Sequence, residues 1–295
     1  MGAGVEEAIR QNGAFEGSNG YRGRFAPSPT GPLHFGSLVA AVCSWLDARA
    51  HGGEWLVRIE DADEARCRRR WGDEILRTLE RLRLEWDGEV LWQSARKEAY
   101  REALERLKRE GLAYPCACTR RETAGARYSG RCRNGLPEGG KARAWRLRVE
   151  EGRVGFEDRW QGWFEQDVAR EVGDFILLRA DGCVSYQLAV VVDDEQQGVT
   201  HVVRGADLLD STPRQILLAQ ALGCRPLVYL HHPVATDTQG RKLSKQNRAP
   251  ALDAARDGEN LRAALGFLGL WAPADLAPRE LLEWARRRWR GRVEG

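Results

Sequence analysis

The chain has 295 residues, 42% of them hydrophobic, and a formal net charge of +3. This length suits one large domain with an insertion or two modest domains. No apolar run approaches the ~20 residues that cross a bilayer, and residues 1–20 lack the apolar stretch of a signal peptide. We therefore expect a cytoplasmic protein without a membrane partner, and the small net charge alone does not predict binding to nucleic acid.

The first part of the chain alternates strand-like and helix-like patterns. Residues 21–26 and 55–59 are typical of strands, and apolar residues at helical spacing predict a helix over 37–51. This strand–loop–helix–strand unit implies a parallel sheet with ligands at the carboxyl ends of its strands. Amphipathic helices are predicted over 71–84 and 95–110.

From Gly111 to Gly140 the composition shifts to Cys, Gly, Arg and Asn, which indicates a separate module. Strands over 145–149 and 154–158 are predicted as part of this module, and the alternation of helices and strands resumes near Asp174. The remaining predicted elements are strands over 200–204 and 227–230 and helices over 212–222, 261–268 and 278–290.

These elements predict an α/β fold, a Rossmann-like doubly wound parallel sheet with an inserted module and a small C-terminal helical appendix. The predicted segments are a flexible N-terminal extension (1–21), the first half of a nucleotide-binding catalytic domain (22–110), the insertion (111–173), the second half of the domain (174–250) and the appendix (251–295).

A Gly/Pro-rich turn, RFAPSPTGPLHFGS at 24–37, connects the first predicted strand to the first predicted helix. Backbone N–H groups and the helix dipole attract phosphate at such a helix start. Gly36 lets a bulky ligand approach the backbone, and His34 has the chemistry to hydrogen-bond a phosphate. The alternative for His34 is a histidine that is satisfied within its own turn.

A second basic loop, KLSK at 242–245, lies far downstream. Nucleotidyl transfer needs positioning and stabilisation of charge on phosphate oxygens more than acid–base chemistry. The two loops together therefore predict a nucleotidyl-transferring enzyme. We expect His34, Gly36, Lys242 and Lys245 to be catalytic, and His34, Gly36, Ser37 and Lys245 to contact ATP.

Three cysteines, Cys116, Cys118 and Cys132, lie within 17 residues of one another in the insertion. Such clustered thiols indicate a structural zinc site, which normally takes four N or S ligands. Neither a His nor a fourth Cys is nearby in the sequence, so the residues alone leave the fourth ligand open. The alternative is two buried thiols and an unrelated cysteine.

Three groups of arginines are candidates for contacts with RNA, because the planar guanidinium binds phosphate oxygens bidentately. A run of charges is also typical of a solvated helix face. The groups are Arg66, Arg68, Arg69 and Arg70; Arg120, Arg121, Arg127, Arg131 and Arg133; and Arg286, Arg287, Arg288, Arg290 and Arg292.

Over about residues 22–252 the chain resembles a class I aminoacyl-tRNA synthetase of the glutamyl type. The turn at 24–37 matches the R-F-A-P-S-P-T-G-x-L-H-x-G signature of that family, and KLSK matches its second signature loop. Three further matches lie between them in the right order: VRIED at 57–61, YQLAVVVDD at 186–194 and VRGADLL at 203–209. The resemblance implies the class I catalytic fold, with ATP and Mg²⁺.

The resemblance also implies that glutamate is bound by Arg24, Ser28, Glu60, Tyr186 and Arg204. Glutamate brings two carboxylates and one ammonium, which require arginines and one acid. Two alternatives stay open, since Glu60 has the chemistry to cap the following helix and Arg204 to pair with Asp207.

The surroundings of the lysine loop resemble a short branch of the family, which lacks the long C-terminal region that reads the anticodon. Members of this branch attach glutamate to the queuosine base in the anticodon loop of tRNA(Asp), after activating it with ATP without tRNA. The resemblance implies that Tyr128 is the fourth zinc ligand beside Cys116, Cys118 and Cys132. We expect a monomer, since nothing in the sequence demands a dimer.

Three other functions compete with this one. The first is a minimal glutamyl-tRNA synthetase that charges tRNA(Glu). The second is an inactive synthetase-like protein that binds tRNA, and intact His34, Gly36, Lys242, Lys245, Glu60 and Arg204 argue against it. The third is a small-molecule nucleotidyltransferase, which the glutamate-type pocket disfavours.

Overall fold

The computed structural model describes residues 20–123, 127–236 and 250–293, without the side chain of Arg292. Most of the predicted N-terminal extension and the whole KLSK loop lie outside these residues. Among the described residues, the helices are all too short or too polar to span a bilayer.

The described part of the chain contains ten strands and eight α-helices. The strands are β1 Arg22–Phe25, β2 Glu54–Ile59, β3 Leu91–Trp92, β4 Ala113–Cys116, β5 Ala144–Leu147, β6 Val154–Asp158, β7 Gly162–Gln166, β8 Ile176–Leu178, β9 His201–Gly205 and β10 Val228–His232. The helices are α1 Phe35–Ala50, α2 Arg69–Arg81, α3 Lys97–Arg109, α4 Val168–Glu171, α5 Tyr186–Gln196, α6 Thr212–Ala221, α7 Asp257–Phe267 and α8 Pro278–Val293. Short 3-10 turns cover Gln93–Arg96, Ala206–Ser211 and Ala254–Arg256.

Parallel strands form the centre of the molecule. β1, β2 and β3 pair in parallel, and so do β9 and β10. The N–H of Thr200, just before β9, donates to the carbonyl of Arg22 in β1 at 2.9 Å, so the two groups of strands meet there. This arrangement confirms the predicted α/β fold with a parallel sheet.

The partners of two strands differ from the expectation. β6 pairs in parallel with β10, with Asp158 beside Tyr229, and β7 continues the same sheet. The assignment of strand 154–158 to a separate module is therefore wrong. A local pattern does not encode this partner, which depends on contacts such as that between the rings of Phe156 and Tyr229, 5.2 Å apart. β8 pairs with β5, so the sheet β4–β5–β8 also crosses the predicted boundary at residue 173.

Several helix ends are displaced from their predicted positions by local interactions. α1 begins at Phe35, two residues before the prediction, because His34 is its N-cap and its Nδ1 accepts the N–H of Ser37 at 3.3 Å. α2 ends before the predicted residue 84, and the left-handed conformation of Arg83, with φ 60°, follows it.

The predicted C-terminal appendix packs directly against the part of the chain that contains β1, α1 and β2. Leu38 and Leu46 of α1 share a buried core with Leu261 of α7 and Trp289 of α8. Asp47 of α1 is also fully buried, and Trp289 Nε1 donates to its Oδ1 at 2.7 Å. The helical appendix therefore helps to fix α1, the helix that begins at the predicted phosphate site.

Candidate active site

A cavity of about 480 Å³ opens at the carboxyl ends of β1, β2, β9 and β10. Every described residue that was predicted to bind glutamate or ATP lines it: Arg24, Ser28, His34, Gly36, Ser37, Glu60, Tyr186 and Arg204. Lys242 and Lys245 lie outside the described residues. A second cavity, of about 560 Å³, is lined by residues of the 62–65 loop, α3 and 178–188 and contains none of the predicted residues.

Two lining residues of the cavity, Arg24 and Glu60, belong to a buried group of opposite charges. Arg24 donates from Nε and Nη2 to the two oxygens of Asp194, at 3.1 and 3.4 Å. Arg58 donates to Asp194 Oδ1 at 2.7 Å and to Gln197 Oε1 at 2.8 Å. Burial raises the pKa of the Asp194 carboxyl, but the charges of Arg24 and Arg58 outweigh it and hold the pKa below the usual value.

Glu60 lies immediately after β2 and is only 9% exposed. Arg58 Nη2 donates to Glu60 Oε1 at 3.4 Å. Burial is the main reason why the pKa of Glu60 is raised, and Arg58 and Arg24 oppose the rise. The alternative that Glu60 caps the following helix is wrong, because the N-cap of α2 is Arg68.

Arg204 is 5% exposed and is held from three sides. Its Nε donates to His231 Nε2 at 3.0 Å, its Nη1 to the Tyr186 hydroxyl at 3.2 Å and its Nη2 to Thr212 Oγ1 at 2.8 Å. Among the described residues its hydrogen bonds go to these groups and not to Asp207, the alternative partner. A guanidinium has five N–H donors, so one on each terminal nitrogen remains for a ligand.

The turn at the start of α1 forms another part of the lining. His34 Nδ1 accepts from the backbone of Ser37, and Ser37 Oγ lies 3.0 Å from His34 Nε2. The alternative expected for His34, a histidine engaged within its own turn, is thus observed. The same residue still lines the cavity together with Gly36 and Ser37.

The three clustered cysteines come together as the sequence predicts. Their Sγ atoms lie within 4.8 Å of one another, and those of Cys118 and Cys132 are 3.7 Å apart. The hydroxyl oxygen of Tyr128 lies 3.4 Å from Cys116 Sγ and 3.7 Å from Cys118 Sγ. Ligands ~2.3 Å from a tetrahedral zinc stand about 3.8 Å apart, so these four residues fit a zinc ion.

Within the cluster, the surroundings favour the charged form at Cys116, whereas they raise the pKa of the Cys118 thiol to about 11, chiefly through burial. Burial raises the pKa of the Cys116 thiol, but hydrogen bonds with Tyr128 and Arg146 outweigh it and lower the pKa to about 7. Arg146 Nε donates to Cys116 Sγ at 3.3 Å. Burial, with hydrogen bonding to Cys116, raises the pKa of the Tyr128 hydroxyl. A thiolate at position 116 would be the first ligand available to a metal ion.

Some members of the arginine groups have structural partners. Arg133 pairs with the buried Asp174 at 2.6 Å and donates to the carbonyl of Val149. Arg69 lies over the ring of Trp92, 3.6 Å from its centroid. The contacts of the three groups with RNA stay a prediction.

Four residues of the site were not singled out from the sequence: Arg58, Asp158, Asp194 and His231. Arg58 and Asp194 lie inside matched motifs, and the available signal was a charged residue within a largely apolar strand or helix. Asp158 and His231 bond to each other at 2.6 Å over 73 residues of sequence, and no local pattern indicates such a pair.

The parallel sheet, the helix start and the charged cavity define the catalytic domain of a class I tRNA synthetase. The family model described as "tRNA synthetases class I (E and Q), catalytic domain" matches residues 21–271. The crystal structure of a glutamate tRNA ligase from Elizabethkingia meningosepticum, in complex with its amino acid, is similar with a TM-score of 0.75 and 25% identity. The similarity covers 91% of this chain and 64% of that chain.

Two curated relatives are similar over nearly their full length. The glutamyl-Q tRNA(Asp) synthetase of Dechloromonas aromatica is 57% identical over 91% of this chain and 94% of that protein. The protein of the same name from Chromobacterium violaceum is 55% identical over 91% and 93%. The chain belongs to the class I tRNA synthetase family, within the group of glutamyl-Q tRNA(Asp) synthetases, and is thus a ligase-type enzyme.

Proposed function

We propose that the protein activates glutamate with ATP to glutamyl-adenylate without tRNA, and then transfers glutamate to the queuosine base of tRNA(Asp). The observation that carries this proposal is the convergence of Arg24, Glu60, Tyr186 and Arg204 on the cavity that begins at α1. The names of the relatives that are 55–57% identical support the choice of acceptor.

Glutamate fits the charges of the cavity. The two remaining N–H donors of Arg204 bind one carboxylate, and the Tyr186 hydroxyl, which accepts from Arg204, keeps its own hydrogen to donate. The Glu60 carboxylate binds the ammonium, while Arg24 and Ser28 complete the lining. Glutamine would leave the Arg204 guanidinium without its anionic partner, so the same contacts disfavour it.

The first reaction joins the α-carboxylate of glutamate to the α-phosphate of ATP. A carboxylate oxygen attacks phosphorus, a new O–P bond forms, and the bond to pyrophosphate breaks without proton transfer. Gly36, Ser37 and His34 at the start of α1 bind phosphate oxygens, and Lys242 and Lys245 add positive charge. Mg²⁺ bound to ATP would neutralise part of the triphosphate charge.

The second reaction makes an ester with the base. A hydroxyl of queuosine attacks the acyl carbon and loses its proton, and AMP departs as the bond from that carbon to the phosphate oxygen breaks. An anticodon loop presents unpaired bases, which are the part of a tRNA that a protein cavity reaches most easily. The arginine groups would bind neighbouring phosphates and make binding sensitive to salt.

We also propose that Cys116, Cys118, Tyr128 and Cys132 hold a structural zinc ion. When bound, the ion would cross-link the turn after β4 to the segment 128–132. The distances among the four ligand atoms support this assignment.

Pyrophosphate exchange tests the activation step. Purified protein with ATP, Mg²⁺ and glutamate, but no tRNA, is expected to move labelled pyrophosphate into ATP. Glutamine in place of glutamate is the matched control and should support far less exchange. Exchange that requires added tRNA would contradict the proposed tRNA-independent activation.

A further inference from the structure

A buried chain of hydrogen bonds runs from β6 through β10 to the guanidinium of Arg204. Asp158 Oδ2 lies 2.6 Å from His231 Nδ1, and Arg204 Nε donates to His231 Nε2 at 3.0 Å. Asp158 is 2% exposed and His231 is fully buried. Neither residue belongs to the predicted glutamate pocket, but His231 is hydrogen-bonded to Arg204, which does.

The geometry fixes where the imidazole carries its proton. Arg204 Nε is always a donor, so His231 Nε2 must be the acceptor and the proton must lie on Nδ1, where it is donated to Asp158. Burial, the largest cause, lowers the pKa of His231, which agrees with a neutral ring. Thr212 Oγ1, 3.1 Å from His231 Nε2, also contacts this nitrogen.

The other oxygen of Asp158 is held by the backbone. Oδ1 accepts the N–H groups of Trp160, Gln161 and His231 at 3.0, 2.9 and 3.1 Å. These three donors fix which carboxylate oxygen faces His231. The backbone therefore orients the Asp158 carboxylate, and the carboxylate in turn orients the His231 imidazole.

We propose that Asp158 and His231 are positioning residues for glutamate binding: the carboxylate sets the imidazole tautomer, and the imidazole holds Arg204 with its terminal N–H groups directed into the cavity. This inference rests on the proposed role of Arg204 in binding a glutamate carboxylate. It also gives β6 and β7 a function, since their hairpin carries Asp158 into the central sheet.

The substitution Asp158→Asn tests the tautomer with almost no change in shape. The three backbone donors would keep the amide oxygen at the Oδ1 position, so the amide NH₂ would face His231 Nδ1. That nitrogen would then have to accept, and the proton would move to Nε2, where it would oppose the N–H of Arg204. A wrong tautomer with otherwise intact geometry is expected to displace Arg204, which is hydrogen-bonded to the histidine.

Calorimetric titration with glutamate measures the consequence. We expect Asp158→Asn to weaken glutamate binding about tenfold or more, while the dissociation constant for ATP stays within about twofold. The matched control is Asp174→Asn, because Asp174 is also buried and accepts from Tyr114 at 2.6 Å, but lies just before β8 and does not line the cavity. His231→Gln should retain more glutamate affinity than His231→Leu, since its amide oxygen replaces the acceptor at Nε2.

The ¹⁵N chemical shifts of the His231 ring supply a readout that is independent of activity. They should report the proton on Nδ1 in the natural protein and on Nε2 in Asp158→Asn. The same tautomer in both proteins, or equal glutamate affinity in both, would overturn the inference while leaving the proposed function intact. If the natural protein binds ATP but not glutamate, the proposed function is contradicted. The role of Asp158 and His231 in glutamate binding is then contradicted as well, whichever ring nitrogen of His231 carries the proton.

Discussion

Arg24, which lines the cavity, and the buried Asp194 are joined by two hydrogen bonds, Nε to Oδ1 at 3.1 Å and Nη2 to Oδ2 at 3.4 Å. Asp194 also accepts from Arg58, so one carboxylate holds two buried guanidinium groups. Arg24 thus has a fixed position before any ligand binds. Asp194, which orients Arg24, lies in α5, 170 residues away in the sequence.

The substitution Asp194→Asn should destabilise the protein and weaken glutamate binding. Removal of one partner from a buried ion pair costs about 3–5 kcal/mol, because the opposite charge stays buried. Urea unfolding measures the stability, and pyrophosphate exchange measures the KM for glutamate. The neighbouring variant Glu195→Gln is the control, since Glu195 pairs with Arg225 near the surface and its loss should cost less than about 1 kcal/mol. Equal effects of the two substitutions would contradict the assigned role of Asp194.

Loss of the Glu60 carboxylate should separate glutamate activation from ATP binding. Glu60→Ala removes the partner proposed for the ammonium of glutamate, so glutamate-dependent exchange should disappear while the calorimetric affinity for ATP is retained. Unchanged exchange in this variant would show that the pocket assignment is wrong.

The raised pKa of Glu60 predicts how glutamate binding depends on pH. The carboxylate is charged above its pKa, and its proposed contact with the ammonium is lost as the pH falls through that value. The KM for glutamate should therefore rise on acidification, beginning above the ordinary glutamate pKa of about 4.3. Kinetics between neutral and acidic pH measure this change, and Glu60→Gln should flatten the profile. If the KM for glutamate depends on pH in the same way in the natural enzyme and in Glu60→Gln, Glu60 is not the cause of that dependence.

Metal content tests the cysteine cluster. The natural protein should contain about one zinc ion per chain by atomic absorption, as a tetrahedral structural site does. Cys132→Ser should lose most of it, and Tyr128→Phe should hold it more weakly against a chelator. Cys224→Ser provides the control, because Cys224 lies outside the cluster. Zinc content that is insensitive to Cys132→Ser would refute the ligand set.

Asp47 is expected to contribute strongly to stability. Its carboxylate accepts from Tyr21 at 2.5 Å, from Arg159 at 2.6 Å and from Trp289 at 2.7 Å, and it links α1 to α8 and to the turn after β6. Asp47→Asn should reduce the free energy of unfolding by about 3 kcal/mol. Urea unfolding at neutral pH provides the measurement, and a loss under about 0.5 kcal/mol would contradict this role.

The same carboxylate predicts a dependence of stability on pH. Burial raises the pKa of Asp47, but Arg159 and the hydrogen bonds of Tyr21 and Trp289 outweigh it, so the pKa is lowered in the folded state. Its stabilisation is complete above the pKa of an unfolded aspartate and is lost as the pH falls through the lower folded value. The stability of Asp47→Asn should therefore change less across this acidic range than that of the natural protein.

The elements around the start of α1 were predictable because their signals are local. β1, α1 and β2 follow one another along the chain, and apolar periodicity together with the Gly/Pro turn defines them. The residues proposed to bind glutamate were predicted through resemblance to a family, and they line one cavity. The three cysteines were also predictable, since they lie within one segment of 17 residues.

The parts that sequence reasoning missed depend on long-range partners. The local sequence of β6 fits a strand in either sheet, and only its pairing with β10 decides which. The contacts of Arg204 with Tyr186 and His231 likewise join three separate segments of the chain. No single-sequence pattern ranks such partners, because their energy arises from packing in the folded state.

The most direct test of the proposed function is to follow labelled glutamate into RNA. Purified protein, ATP and Mg²⁺ are incubated with tRNA(Asp) carrying queuosine, with tRNA(Asp) lacking it, and with tRNA(Glu). We predict label only on the queuosine-containing tRNA(Asp). Label on tRNA(Glu), or equal label on tRNA(Asp) with and without queuosine, would contradict the proposed acceptor.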